Sequence, residues 1–112
     1  MSNRSINIAT DFSAEPFGRY PSDGDSNGTR FRDEWLIPAL TDSETVSVIF
    51  DGAEGYGSSF LEESFGGLVR LCGFAADDLH QRLKLISTDD PSLIDEVWEY
   101  IDSAKPVSIK LL

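Results

Sequence analysis

The sequence predicts an α/β fold, a single compact domain over residues 1–112 in which helices pack on a small mixed sheet of about four strands. Short segments with alternating apolar residues are separated by longer segments whose apolar residues recur with helical periodicity. Such an alternation of strands and helices is typical of a sheet covered by helices. The 112 residues contain no internal repeat and no linker that would divide them.

The first part of the chain is predicted to form an edge strand, an ordered loop and a helix. "SINIATDF" at 5–12 has the pattern of a short strand, and the turn-rich segment that follows contains two prolines and three glycines. Ser26 or Asn27 can cap a helix that continues through 29–40. Pro38 is expected to kink or end this helix, because proline has no N–H to donate.

The central part contains the clearest strand, "TVSVIFD" at 45–51. A glycine-rich loop at 52–57 follows it, and then a helix over about 59–72. Gly66 and Gly67 lie within this helix, where each costs about 1 kcal/mol relative to alanine. We therefore expect a neighbouring backbone to approach the helix closely at this pair.

The last part is predicted to contain a strand, a helix and a final strand. "RLKLIS" at 82–87 is the first of these strands, and "DPSLIDEVWEYIDSA" at 90–104 is a helix with Pro91 in its first turn. "PVSIKLL" at 106–112 is predicted to be the fourth strand of the sheet.

The composition limits the possible partners. Twenty acidic and nine basic residues give a net charge of −11, which argues against direct binding of nucleic acid through its phosphates. The acidic residues are compatible with three interpretations: a solvated surface without a specific role, a surface that binds a basic protein partner, or a surface that mimics the charge of nucleic acid. No apolar segment approaches the roughly 20 residues that span a bilayer, and the polar N-terminus lacks the core of a signal peptide, so a soluble cytoplasmic protein without a membrane partner is expected. The single cysteine, Cys72, excludes an internal disulfide and is expected to be a small buried hydrophobic residue.

The stretch "FDGAEGYGSSFLEESFGG" at 50–67 combines features of two kinds of site. Gly52 and Gly57 have the spacing of a phosphate-binding P-loop, but Ser58 stands where that loop needs a lysine, so nucleotide hydrolysis is not expected. A nucleophile elbow, G-x-S-x-G, is not matched either, because Gly57-Ser58-Ser59 is followed by Phe60-Leu61. No catalytic residue, cofactor or metal is therefore predicted, although binding of one phosphate at the helix N-terminus stays open.

Ser59 and Glu62 have the spacing of a capping box, with serine at the N-cap and glutamate three residues later. This leaves two interpretations of Ser59: a cap alone, or a cap that is also modified. A phosphoryl group on Ser59 would lie at the positive end of the helix dipole and against Glu62 and Glu63.

Two segments resemble the STAS-like domains, a family of short and mostly uncharacterised prokaryotic proteins. They are "GRYPSDGDSNGTRFRDEWLIPAL" at 18–40 and "GYGSSFLEESFGGLVR" at 55–70. The strand, loop, serine pair and helix are more distantly similar to the STAS domains of anti-sigma-factor antagonists. In those domains a D-S-S-G turn after a strand carries a serine that is phosphorylated by a partner kinase, which is also the anti-sigma factor.

The resemblance implies a STAS-like fold and assigns roles to the loop residues. Ser59 takes the position of the phosphoacceptor, with Ser58 as its neighbour, while Gly57 replaces the aspartate of the turn and Phe60 its glycine. The residues expected to form the loop and to contact a partner are Asp51, Gly55, Gly57, Phe60, Leu61 and Glu62.

The predicted function is a non-enzymatic regulatory module that binds a protein partner and is switched by serine phosphorylation. The partner implied by the resemblance is an ATPase-type serine kinase. One alternative is an acidic inhibitor that occupies the basic site of a nucleic-acid enzyme. A second is a small hydrolase or ligand-binding protein that uses Asp51, Arg30 or Arg32 beside the glycine-rich loop.

Overall fold

Three parallel strands form the sheet in a computed structural model of the chain, which describes residues 2–107. They are β1 (Asn3–Asn7), β2 (Thr45–Ile49) and β3 (Leu83–Ile86), arranged in that order. β2 is central, with Asn7 opposite its Ile49 on one side and Ile86 opposite Ile49 on the other.

The sheet corrects two expectations of the sequence analysis. Its strands are all parallel rather than mixed, because each is connected to the next by a helical crossover. The described residues contain three strands rather than about four. The fourth strand was predicted at 106–112, of which 108–112 lie outside the described residues.

The first strand is shorter than the predicted segment 5–12. β1 ends at Asn7, and Ile8–Phe12 wind into a π-helical turn. The Asn7 side chain starts this turn by accepting a hydrogen bond from the Thr10 N–H at 3.2 Å. An asparagine that bonds to its own downstream backbone competes with strand pairing, and this explains the early end of β1.

Two long helices are each built of three consecutive segments with a π-helical segment in the middle. Helix α1 comprises Gly28–Phe31, Arg32–Leu36 and Ile37–Asp42. Helix α2 comprises Ser58–Leu61, Glu62–Gly66 and Gly67–Arg70. Two further α-helices follow, α3 (Ala76–Arg82) and α4 (Ser92–Ser103). No helix within residues 2–107 is long and apolar enough to cross a membrane.

Helix α1 begins as predicted but does not end at Pro38. The Asn27 side chain accepts a hydrogen bond from the Arg30 N–H at 2.9 Å, which confirms this N-cap. The helix then passes through Pro38 and ends at Asp42. The π-helical segment Arg32–Leu36 already interrupts the regular bonding pattern, and Pro38 lies in the first turn of the segment after it, where a missing N–H is tolerated.

The core lies between the sheet and helices α1 and α2. Val46 and Val48 of β2 are fully buried there, and aromatic rings from α1, α2 and the loops pack in tilted pairs. Each buried phenylalanine contributes roughly 2 kcal/mol of hydrophobic stabilisation. The fully or almost fully buried aromatic side chains are Phe31, Phe50, Phe60 and Phe65.

Helices α1 and α2 approach each other closely at Gly28. A Cβ atom at this position would lie 2.8 Å from the Phe60 carbonyl oxygen and 3.1 Å from the Ser64 hydroxyl, so no side chain can be accommodated. The Ser64 hydroxyl donates a hydrogen bond to the Gly28 carbonyl across the contact. This contact holds the loop before α1 against the N-terminal half of α2.

Candidate functional site

The two serines of the glycine-rich loop lie on a surface groove of about 490 Å³, here called the serine groove. Ser58 and Ser59 are both exposed at the start of α2. The opposite side is formed by the loop 17–24, here called the Arg19 loop. The groove is lined by Phe17, Gly18, Arg19, Tyr20, Asp23, Gly57, Ser58 and Ser59.

The predicted capping box at Ser59 and Glu62 is wrong. The N-cap of α2 is Gly57, and no side chain caps the helix there. Glu62 instead accepts hydrogen bonds from the guanidinium groups of Arg19 and Arg70. Charge-assisted bonds from two guanidinium groups are stronger than one bond from a backbone N–H, so the carboxylate turns away from the helix start. Ser59 therefore lies in the first turn of α2 and is not its cap.

The Arg19 loop is held in a fixed shape by Asp23. Its carboxylate accepts hydrogen bonds from the backbone N–H groups of Tyr20 at 3.1 Å and Arg19 at 2.9 Å, and these bonds lower the pKa of Asp23. Gly18 has a φ of +87°, a conformation that glycine adopts easily. The loop leaves Phe17 and Tyr20 with exposed fractions of 65% and 52%. Two aromatic rings are thus held at the surface beside the serines.

Beside the serine groove, a buried carboxylate is surrounded by three guanidinium groups. The Glu63 side chain is only 2% exposed, and it lies in the π-helical segment of α2. It accepts hydrogen bonds from Arg32 at 2.8 Å, from Arg19 at 3.1 Å and from Arg70 at 3.1 Å. Arg32 is buried as well and also donates to the Glu63 carbonyl oxygen. A charge buried this deeply is tolerated because its hydrogen-bonding capacity is satisfied by opposite charges.

Glu62 forms the outer part of the same network. Its Oε1 atom accepts a hydrogen bond from Arg19 at 2.5 Å, and its Oε2 atom accepts one from Arg70. Burial opposes ionisation of Glu62, but the bonds from Arg19 and Arg70 outweigh it and hold the pKa of Glu62 below its ordinary value. The arginines therefore offset the negative charge of the acidic pair Glu62 and Glu63.

Both glycines of α2 are explained by this packing. A Cβ atom on Gly67 would lie 2.6 Å from Arg32 Nη1, so this glycine makes room for a buried guanidinium. A Cβ atom on Gly66 would meet the Glu62 carboxylate at 2.7 Å and the Tyr100 carbonyl oxygen of α4 at 3.3 Å. The expected backbone approach is present at Gly66, whereas at Gly67 the neighbour is a side chain.

Asp51 lies in a different place from the serines and does not line their groove. Its carboxylate accepts hydrogen bonds from the backbone N–H groups of Asp89 and Thr88, both at 2.8 Å, and these bonds lower its pKa. The N–H of Gly52 points in turn to the Asp89 carboxylate at 3.4 Å. Asp51 thus joins the loops that follow β2 and β3.

The remaining predicted site residues fall into two groups. Phe60 and Leu61 have no exposed surface, so they anchor the start of α2 in the core and cannot contact a docked partner directly. Gly55 lines a second groove of about 360 Å³ next to Tyr56, whose hydroxyl donates to the Phe50 carbonyl at 2.7 Å. The surface around the serines is therefore formed by Gly57 and the Arg19 loop.

The residues proposed for a ligand-binding site do not meet. Arg32 is buried against Glu63, Arg30 pairs with Glu34 on the surface of α1, and Asp51 binds the loop after β3. Within residues 2–107, no group of three or more potential metal-ligating side chains is placed to hold a metal ion. Cys72 is partly exposed rather than buried, and desolvation raises the pKa of its thiol.

The fold is thus an α/β domain, a parallel sheet covered by helices, with a serine pair in the first turn of the helix that follows its central strand. The family described as "STAS-like domain of unknown function (DUF4325)" matches residues 27–93, and the chain belongs to this family. Neither a curated protein nor a solved structure matches the chain. The matched region includes both serines and Arg32, but it does not include the Arg19 loop.

Proposed function

We propose that this protein is a non-enzymatic regulatory module that binds a protein partner through the serine groove, and that phosphorylation of Ser59 switches this binding. The proposed kinase, which is also the proposed partner, is an ATPase-type serine kinase. One observation carries the proposal: Ser59 is exposed in the first turn of α2, on a groove bordered by a loop of fixed shape. A kinase can therefore reach the hydroxyl without unfolding the domain.

The chemistry of the groove supports protein binding. Phe17 and Tyr20 are large aromatic residues that remain more than half exposed on the Arg19 loop. Aromatic and arginine side chains are enriched in the centres of protein interfaces, where they contribute most of the binding energy. Because Asp23 holds the loop in shape, little conformational entropy would be lost when a partner binds.

The surroundings of the two serines favour Ser59 as the phosphoacceptor. The Tyr100 hydroxyl donates to Glu96 at 2.7 Å, and this bond raises the pKa of Tyr100 to about 12, whereas the neighbouring Ser58 side chain acts to lower it. A phosphoryl group on Ser58 would therefore be near the Glu96 carboxylate. Both serines line the groove with Arg19, so the neighbouring Glu96 carboxylate is what disfavours Ser58 relative to Ser59.

Modification at this position would change the surface that a partner meets. A phosphoserine carries a charge of about −1.5 to −2 at neutral pH, together with strong hydrogen-bond acceptors. Its addition between Tyr20 and α2 would replace a neutral hydroxyl by the strongest charge in the groove. An interface formed with the unmodified groove would then lose complementarity.

The modification is tested by incubating the protein with each ATPase-type serine kinase encoded near its gene, followed by intact-mass analysis. We expect the wild type and Ser58→Ala to gain one phosphoryl group and Ser59→Ala to gain none. If none of these kinases modifies the wild type, the phosphorylation switch is wrong.

Partner binding is tested separately by titration calorimetry with the same kinase. We expect Phe17→Ala and Tyr20→Ala each to weaken binding at least about tenfold, which corresponds to about 1.4 kcal/mol. Leu71→Ala is the matched control, because Leu71 is similarly exposed at 53% but lies at the other end of α2. Equal effects of all three substitutions would contradict binding through the serine groove.

A further inference from the structure

Arg19 connects the Arg19 loop to α2 and also lines the serine groove. Its Nη1 atom donates to Glu62 Oε1 at 2.5 Å and to Glu63 Oε1 at 3.1 Å. The Arg19 side chain remains 34% exposed, whereas the Arg32 side chain is 7% exposed. One accessible guanidinium therefore holds the loop on the helix and lines the same groove as Ser59.

The spacing along α2 brings a phosphoryl group on Ser59 near this guanidinium. Residues three and four positions apart lie on the same side of a helix, so Ser59 shares its side of α2 with Glu62 and Glu63. Arg19 already contacts both carboxylates, about one turn further along the helix. Arginine binds phosphate with two parallel hydrogen bonds, and a phosphate carries more negative charge than a carboxylate.

The network can lose Arg19 without leaving a buried carboxylate unpaired. Glu63 would keep Arg32 and Arg70 as hydrogen-bond donors, and Glu62 would keep Arg70. Arg32 of α1 and Arg70 of α2 thus keep both carboxylates paired, and Arg19 of the loop adds its two bonds from a guanidinium that stays partly exposed. Removal of both partners from a buried carboxylate is costly, but exchange of one partner out of several is not.

We propose that phosphoserine at position 59 takes Arg19 away from Glu62, so that the Arg19–Glu62 pair is a built-in competitor of the phosphorylated state. The exchange shifts the Arg19 loop and with it Phe17 and Tyr20. The inference rests on the proposed function, since it describes how phosphorylation at the same site changes the partner surface. The ionisable groups around the exchange are Arg19 and Asp23 of the loop, Glu62, Glu63 and Arg70 of α2, Arg32 of α1, and Glu96 and Tyr100 of α4.

The test does not need a kinase, because phosphoserine is incorporated genetically at position 59 and titrated by ³¹P NMR. Bonding to Arg19 should hold the phosphoserine pKa below its usual value of about 6. In Arg19→Gln we expect this pKa to rise by about one pH unit, and in Arg19→Lys by less, because the charge is kept. Arg4→Gln is the matched control, since it removes the same charge from β1 and should leave the titration unchanged.

Two results of this titration would overturn the proposal. One is a phosphoserine pKa that is the same in the wild type and in Arg19→Gln. The other is an equal sensitivity to Arg19→Gln when phosphoserine stands at position 58, because that would indicate the field of the whole network rather than a specific bond.

The movement of the loop is measured independently by the amide signals of Gly18 and Gly24 in ¹⁵N NMR spectra. Phosphoserine at position 59 should shift both signals in the wild type and leave them nearly unchanged in Arg19→Gln; unshifted wild-type signals would also overturn the proposal. A kinase that fails to modify Ser59 would contradict the proposed function while leaving this exchange intact. A phosphorylated Ser59 whose pKa does not depend on Arg19 would contradict this exchange while leaving the proposed function intact.

Discussion

Glu63 and Asp51 are two carboxylates that the protein binds in opposite ways. Glu63 is buried between α1 and α2 and is bound by side chains of opposite charge. Asp51 lies in the turn after β2 and is bound by backbone N–H groups of the loop after β3. The first arrangement depends on the packing of helices and the second on the shape of a loop, so the two should respond differently to substitution and to pH.

The difference follows from solvation. Removing a carboxylate and its partners from water costs several kcal/mol per ion, which only a complete set of bonds offsets. Within residues 2–107, every buried side-chain nitrogen and oxygen has a hydrogen-bond partner, so the network around Glu63 is complete. Asp51 stays in contact with water, and its bonds are worth correspondingly less.

The largest effect is expected from Glu63→Ala, because it removes the buried carboxylate partner of the buried Arg32 guanidinium and leaves it paired with the half-exposed Asp33. We expect a loss of about 3–5 kcal/mol in the free energy of unfolding, measured by urea denaturation. Glu99→Ala, on the exposed side of α4, should change it by less than about 0.5 kcal/mol. A loss below about 1 kcal/mol for Glu63→Ala would show that the network does not behave as a buried ion cluster.

Gly67→Ala tests the space that the network requires. The new Cβ atom would stand 2.6 Å from Arg32 Nη1, which cannot move freely because it is bound to Glu63. Although alanine favours a helix by about 1 kcal/mol, we expect a net loss of about 1–3 kcal/mol. In Gly55→Ala the added Cβ meets no atom within 4 Å, so this control should remain close to the wild type. A stabilised Gly67→Ala protein would contradict the tight packing.

Tyr56→Phe tests how much one hydrogen bond stabilises the loop that follows β2. The Tyr56 hydroxyl donates to the Phe50 carbonyl, just before Asp51. Its loss should cost about 1 kcal/mol in thermal or urea unfolding. Tyr20→Phe removes an exposed hydroxyl instead and serves as the control. If both substitutions had the same effect, the hydrogen bond to the Phe50 carbonyl would contribute nothing to the free energy of unfolding.

Asp51→Asn should have the smallest effect, and one that depends on pH. The folded-state pKa of Asp51 is lowered by the N–H groups of Asp89 and Thr88. The carboxylate therefore stabilises the fold above its unfolded pKa of about 4, and this contribution disappears as the pH falls through the folded-state value. Urea unfolding at several pH values should show the wild type losing more stability than Asp51→Asn on acidification. Parallel curves for the two proteins would contradict this assignment.

The type and order of the main elements could be predicted from the sequence. The strand segments at 45–51 and 82–87 and the cap at Asn27 agree with the structure, because apolar periodicity and capping act over a few neighbouring residues. The course of α1 through Pro38 could not be predicted, since it depends on a π-helical segment that has no simple sequence pattern.

The candidate site was predicted only in part. The exposure of Ser58 and Ser59 at a helix start agrees with the pattern of glycines and serines before an amphipathic segment. The role of Glu62 was misassigned, because its spacing from Ser59 satisfies a local rule that a stronger interaction overrides. No pattern in the sequence indicated the Arg19 loop as the other side of the groove.

Local order in this chain, such as the strands and the start of α1, is thus determined by interactions between residues close in sequence. Arg70 shares helix α2 with Glu63, but the meeting of Arg19 and Arg32 with Glu63 is decided only when the Arg19 loop, α1 and α2 pack together. Charges that far apart along the chain contribute nothing until folding brings them into contact and removes water from between them. The same packing then decides that Glu62 binds arginine rather than capping its own helix, and that Ser59 is left facing the groove.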